Sequence, residues 1–149
     1  MDDPNDRIEL DSRLTELSRI ERWAEAVADR HEVAESTRFS IHLCLEEALA
    51  NVVMHGYRNE SGHPIVVRTF VSDGTLFFAI DDQARPFELP GRDAFDNAPK
   101  HANLESIEPG GNGLLLLHRF AGSVGYERLP DGNRVTIGFP VSETRDVSV

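Results

Sequence analysis

Glu47 and Asn51 stand one helical turn apart in a run that is otherwise mostly apolar. A carboxylate can act as a general base, and an amide oxygen can ligate a hard cation such as Mg²⁺. Leu43, Glu47, Asn51 and His55 recur every fourth residue, so on a helix they share one stripe. Ile41, Leu45, Ala48, Leu49 and Val52 make the opposite side apolar. Burying a carboxylate or an amide without partners is costly, so the pair is expected to line a pocket for a polar ligand, with His55 at its edge. A solvated or capping pair is the plain alternative.

Two further patches carry chemistry. A hydrophobic strand ends in Asp81 and Asp82 and then turns through Gln83, Ala84, Arg85, Pro86 and Phe87. A carboxylate on a pocket floor can accept a hydrogen bond from the exocyclic amino group of adenine, a donor that guanine lacks at that place. Acids that merely end a strand have the same appearance. Further on, Pro109, Gly110, Gly111, Asn112, Gly113 and Leu114 lead into a helical pattern. Glycines there let N–H groups turn toward a phosphate at the positive end of a helix, although a flexible interhelical loop has the same composition.

Other chemistries are excluded. The glycine cluster lacks the Lys-Ser/Thr ending of a P-loop and does not follow a first strand, as a dinucleotide fold requires. Six histidines show no HExxH spacing, Cys44 has no cysteine partner for zinc, and no serine elbow is present.

The elements that must position these patches follow from periodicity. Residues 7–10 read as a short strand after an acidic, mobile start. Ser12 is expected to cap a helix running to about Arg30, with Leu14, Leu17, Ile20, Ala24, Val27 and Ala28 on its inner face. Its outer face, with Arg19, Arg22, Trp23 and Glu25, is a candidate partner surface. Ser36 is expected to cap the second helix, which carries Glu47 and Asn51 and ends at Gly56. Residues 65–71 and 75–80 read as a hairpin turning at Ser72, Asp73 and Gly74. Residues 124–129 and 134–139 read as a second, joined through Pro130, Asp131, Gly132 and Asn133. Between the hairpins the pattern is irregular apart from a short helix near 93–97, and residues 83–112 are expected to form a mobile lid. A helix resumes over 114–121. This order predicts an α+β domain with helices on one face of a mostly antiparallel sheet.

Composition sets limits on partners. The 149 residues, 40% of them apolar, fit a single domain with one core. One cysteine and no long apolar run point to the cytoplasm and away from a membrane. A net charge of −11 repels nucleic acid but leaves basic proteins as plausible partners.

In order and spacing, Glu47-x-x-x-Asn51, Asp82-x-Ala84-x-Pro86-Phe87 and Gly110-Gly111-x-Gly113-Leu114 resemble the N, G1 and G2 boxes of the GHKL ATPases, which share the Bergerat fold. The run EALANVVMHGY at 47–57 and the late run YERLPDGNRVTI at 126–137 resemble the anti-sigma factor serine/threonine kinases of bacterial partner switching. The resemblance implies a two-layer α/β sandwich that binds ATP and Mg²⁺. It implies Glu47 as general base, Asn51 as Mg²⁺ ligand, Asp82 as adenine reader, and the glycines as a lid over the phosphates. It further implies His55, Ala84, Phe87, Asn112 and Leu114 around the nucleotide. The substrate would be a small STAS-type antagonist, the output partner a sigma factor or another protein, and the kinase a homodimer formed through its first helix and sheet edge. Ala84 departs from the glycine usual in this family, which puts the turn beneath adenine in question. Lys100 or His101 is the candidate γ-phosphate contact. A non-catalytic ATP-binding anti-sigma module and a detached histidine-kinase catalytic domain are the alternative readings.

Overall fold

Strand alternation places the site. In the computed structural model, which describes residues 4–86, 117 and 119–141, five strands form one sheet in the order β1-β2-β3-β5-β4. These are β1 (Arg7–Asp11), β2 (Pro64–Ser72), β3 (Thr75–Asp82), β4 (Ser123–Leu129) and β5 (Gly132–Pro140). All four pairings are antiparallel. On one face, Val67, Ile80 and Val135 are cross-strand neighbours, and so are Phe78 and Ile137. All five are buried in the core. The opposite face presents Arg68, Phe70, Asp81 and Arg134. Asp81 and Asp82 therefore diverge, one to each side of the sheet.

Helices α1 (Leu17–Arg30) and α2 (Glu35–Asn51) cover the apolar face. In α1, Ile20, Ala24, Val27 and Ala28 are buried at spacings of three and four, a single stripe against the core. The C-terminal half of α2 is buried almost all round, from Cys44 to Asn51 with Glu46 half-buried, which is why its polar residues stand out against apolar neighbours. Trp23 packs edge-on against Phe78, with ring centroids 5.9 Å apart, and donates its indole N–H to the Asn5 carbonyl at 2.9 Å. It therefore spends its ring on the core rather than on an outer surface.

Three local expectations change. Ser12 does not cap a helix. It is buried, donates its hydroxyl to the Glu60 carbonyl at 2.7 Å and accepts the His63 N–H at 3.1 Å, stitching the end of β1 to the loop before β2. The chain instead enters α1 through a 3₁₀ turn, Leu14–Glu16. Ser36 is exposed inside α2, because extended backbone ends at Ala34 and the Arg38 N–H already bonds the Ala34 carbonyl. Gly132 and Asn133 belong to β5: Leu129 pairs with Gly132, leaving only Pro130 and Asp131 in the turn.

The first hairpin turns at Asp73 and Gly74, both at positive φ (50° and 75°), which matches the twist of the flanking strands. Leu117 is helical and fully buried, and the Ala121 N–H bonds its carbonyl, in keeping with the helix expected there. Among the described residues no helix is long and apolar enough to cross a membrane.

Candidate functional site

Glu47 and Asn51 lie on the last turns of α2, only 8% and 4% exposed. A regular helix would carry the stripe on to His55. Instead a π-helical turn, Val52–Gly56, follows, closed by the Tyr57 N–H on the Val52 carbonyl at 2.9 Å. The wider turn changes the angular step per residue, and His55 is exposed while Asn51 is not. Cys44, one turn before Glu47, is a packing residue. Burial, followed by the Glu47 charge, pushes its thiol up to about 12.

Tyr57 connects this helix to the strand end. Its hydroxyl donates to the Pro64 carbonyl at 2.8 Å and accepts the Gln83 N–H at 2.6 Å, while His63 stacks on its ring at 4.8 Å. Tyr57 thus links the chain that continues from this helix to the residue after Asp82.

Asp82 is 4% exposed at the end of β3, on the core-facing side. Its two oxygens differ. Oδ1 accepts the Ala84 N–H and the Asn133 side-chain amide, each at 2.8 Å. Oδ2 is buried and has no hydrogen-bond partner among the described residues. Burial raises the carboxyl above its ordinary value, against the opposing pull of the Ala84 and Asn133 hydrogen bonds. A buried acceptor left open in this way is what a ligand N–H donor would satisfy.

Ala84 raises no conformational difficulty. It is absent from the residues with positive φ, and its methyl group lies in the core, so the turn after Asp82 forms without the freedom of glycine. Phe87, Gly110, Gly111, Asn112, Gly113 and Leu114, with Lys100 and His101, lie outside the described residues.

The second hairpin supplies residues that motif reading missed. Asn133 is completely buried. Its amide nitrogen reaches Asp82 Oδ1, the Arg85 carbonyl at 3.1 Å and the Ala84 carbonyl at 3.3 Å, and its oxygen accepts from Tyr126 and Arg128. Gly132 touches the backbone of Asp82 so closely that a Cβ there would sit 1.7 Å from the Asp82 carbonyl oxygen. Period-two alternation back from Val135 places Asn133 on the core face, a polar residue at an apolar position. That signal was available in the sequence, but placing Asn133 in the turn concealed it.

On the uncovered face, Asp81 is gripped by Arg134 through Nε at 2.7 Å and Nη2 at 2.9 Å, and by Arg68 at 2.9 Å. An open cleft of about 490 Å³ lies there, lined by Arg7, Val66, Arg68 and Arg134 among others. Asp82 and Gln83 also line it, whereas Glu47 and Asn51 do not; a second cleft, lined by Phe70, Val71, Ala79 and Thr136 among others, is larger at about 920 Å³.

A family model described as the histidine kinase-like ATPase domain matches residues 10–139. The serine/threonine-protein kinase BtrW of Bordetella bronchiseptica is 27% identical over 137 residues, covering 92% of this chain and 94% of that protein. The crystal structure of the RsbU and RsbW domains of Rv1364c from Mycobacterium tuberculosis matches with a TM-score of 0.62 at 15% identity, over 91% of this chain and 32% of that one. The blue-light activated histidine kinase EL346 of Erythrobacter litoralis matches with a TM-score of 0.53 at 18% identity, over 87% of this chain and 42% of that one. This chain therefore spans less than half the length of either solved structure, and likeness at those identities is one of fold.

Proposed function

Because the chain belongs to the histidine kinase-like ATPase domain family, we propose that it is a protein serine/threonine kinase that uses ATP and Mg²⁺ to phosphorylate a small STAS-type antagonist. In this reading it is a single cytoplasmic domain that also sequesters an output protein, such as a sigma factor, and works as a homodimer. The similarity to BtrW, which is named as a serine/threonine-protein kinase and matches along nearly its whole length, supports the reaction class. The observation that carries the nucleotide reading is the half-used carboxylate of Asp82, whose buried Oδ2 fits the amino group of adenine.

Glu47 accepts the proton of the antagonist's hydroxyl as its oxygen bonds to phosphorus. The bond from phosphorus to the bridging oxygen breaks, and ADP departs with that electron pair. A positioned base contributes about 10²- to 10⁴-fold in rate. Asn51 would hold Mg²⁺ through its amide oxygen, a hard donor of the kind that cation prefers. ATP supplies the γ-phosphoryl group, and Mg²⁺ when bound would neutralise charge on it. The reading assigns Gly110, Gly111 and Gly113, with Asn112 and Leu114, to the phosphates and His55, Ala84 and Phe87 to the border of the nucleotide. Phosphorylation adds nearly two negative charges to the antagonist, and an acidic kinase surface then favours its release.

Incubation with labelled ATP, Mg²⁺ and a purified STAS-type protein from the same organism tests the reading. Acid-stable label on that protein, lost with Glu47→Gln, is expected. Equal labelling by the variant removes Glu47 from the role.

A further inference from the structure

The Asp82 carboxylate is asymmetric because something outside its own strand makes it so. One donor on Oδ1, the Ala84 N–H, is local; the other comes from Asn133, 51 residues later on β5. The orientation of that amide is fixed from behind. Tyr126 donates its hydroxyl to the Asn133 oxygen, and Arg128 Nη1 donates to it at 3.1 Å. Turning the amide over would set its oxygen against Asp82 Oδ1 and against the Ala84 and Arg85 carbonyls, four acceptors with no donor among them. Its NH₂ end therefore always faces Asp82.

We infer that Asn133 is the specificity-positioning residue for the purine: by occupying Oδ1 it leaves Oδ2 as the one acceptor offered to the base, and so sets the preference for ATP over GTP without touching the nucleotide. The inference rests on the reading of Asp82 given above and adds to it a residue from a different strand. Without Asn133, Oδ1 keeps one donor, the carboxylate gains a torsional freedom it now lacks, and the acceptor is no longer held at one point. Tyr126 and Arg128 act one step further out, and Tyr126 sits on the edge strand β4 with its ring exposed.

The test compares ATP and GTP dissociation constants by calorimetry for the wild type, Asn133→Leu and Tyr126→Phe. Asn133→Leu keeps the bulk and removes the donor; Tyr126→Phe removes one hydroxyl at an exposed ring and so does not threaten the fold. The wild type is expected to favour ATP. In Asn133→Leu that preference falls roughly tenfold, the scale of one hydrogen bond to a charged group, through weaker ATP binding with GTP binding unchanged. Tyr126→Phe moves the ratio in the same direction by a smaller factor. A purely structural role for Asn133 weakens both nucleotides together and leaves the ratio alone, and that result overturns the inference. If Asn133→Leu does not fold, an unchanged ratio in Tyr126→Phe overturns it instead. A wild type that binds GTP as well as ATP removes the Asp82 reading itself, and is told apart by appearing before any substitution is made.

Discussion

The Gln83 N–H donates to the Tyr57 hydroxyl at 2.6 Å, joining the end of the α2 helical run to the residue after Asp82. The same hydroxyl donates to the Pro64 carbonyl, so one oxygen satisfies a donor and an acceptor at two strand ends. Burial is the main cause holding the phenol above its ordinary range, which keeps it protonated and able to play both parts.

Tyr57→Phe removes both bonds while keeping the ring. A loss of about 1–3 kcal/mol in unfolding free energy is expected, because two backbone groups lose their partner. Denaturant titration measures it. ATP affinity falls in parallel, since the helix and the end of β3 are no longer held together.

Gly132→Ala tests a contact rather than a conformation. Gly132 has no positive φ, but its backbone lies against the Asp82 carbonyl, with no room for a methyl group. Overpacking of about 1–3 kcal/mol or more is expected, together with a displaced Asp82. Thermal unfolding reads the first effect and ATP calorimetry the second. A variant as stable as the wild type shows that the hairpin can yield there.

Asp82→Asn separates charge from shape. Oδ1 keeps its two donors, so the new amide must place its NH₂ where Oδ2 stood, facing adenine with a donor. ATP affinity is expected to fall about 10- to 100-fold, as the loss of a hydrogen bond to a charged group implies, while GTP gains. Stability moves the other way. The folded carboxyl is raised above its ordinary value by burial, so the native state holds the proton more tightly than the unfolded chain. Stability therefore declines as pH rises from that ordinary value through the raised one, and Asp82→Asn removes this decline. Melting temperatures across the acidic range check the sign. A difference between the two proteins that grows as pH falls contradicts it.

Glu47→Gln preserves the volume and burial of the side chain and removes the base. Phosphoryl transfer is expected to drop by about 10²- to 10⁴-fold with ATP affinity nearly unchanged. Single-turnover transfer and nucleotide binding, measured on the same sample, distinguish this from a loss of fold.

Much of this arrangement was legible in the sequence. The apolar stripes of α1 and α2, the β-branched runs and the Asp73-Gly74 turn gave the elements, and polar residues at buried positions marked Glu47, Asn51 and Asp82. Long-range features were not legible in the same way. The Ser12 hydroxyl reads as a helix cap until the loop at Glu60 and His63 is brought to it by folding. Nor does helical spacing announce that the last turn widens and leaves His55 exposed. Asn133 reads as turn composition, because Asn after Asp-Gly is common in turns, and only strand register sets it opposite Asp82. For Ser12 and Asn133 the deciding partner is distant in the chain, so local propensity has no access to it, whereas the widened turn is closed locally between Val52 and Tyr57 and its apolar spacing looks like that of an ordinary helix.

The divergence of Asp81 and Asp82 has a consequence for how the chain acquires its site. These adjacent acids are chemically alike, yet one is neutralised by two arginines in the open and the other is left half-empty in the interior. Sliding β3 by one residue would exchange them, driving an arginine-bound acid inward and sending the carboxylate proposed to read the purine out to water. Under the proposed function, correct pairing of the central strand during folding and discrimination among nucleotides afterwards are therefore one and the same requirement, imposed on a single peptide step.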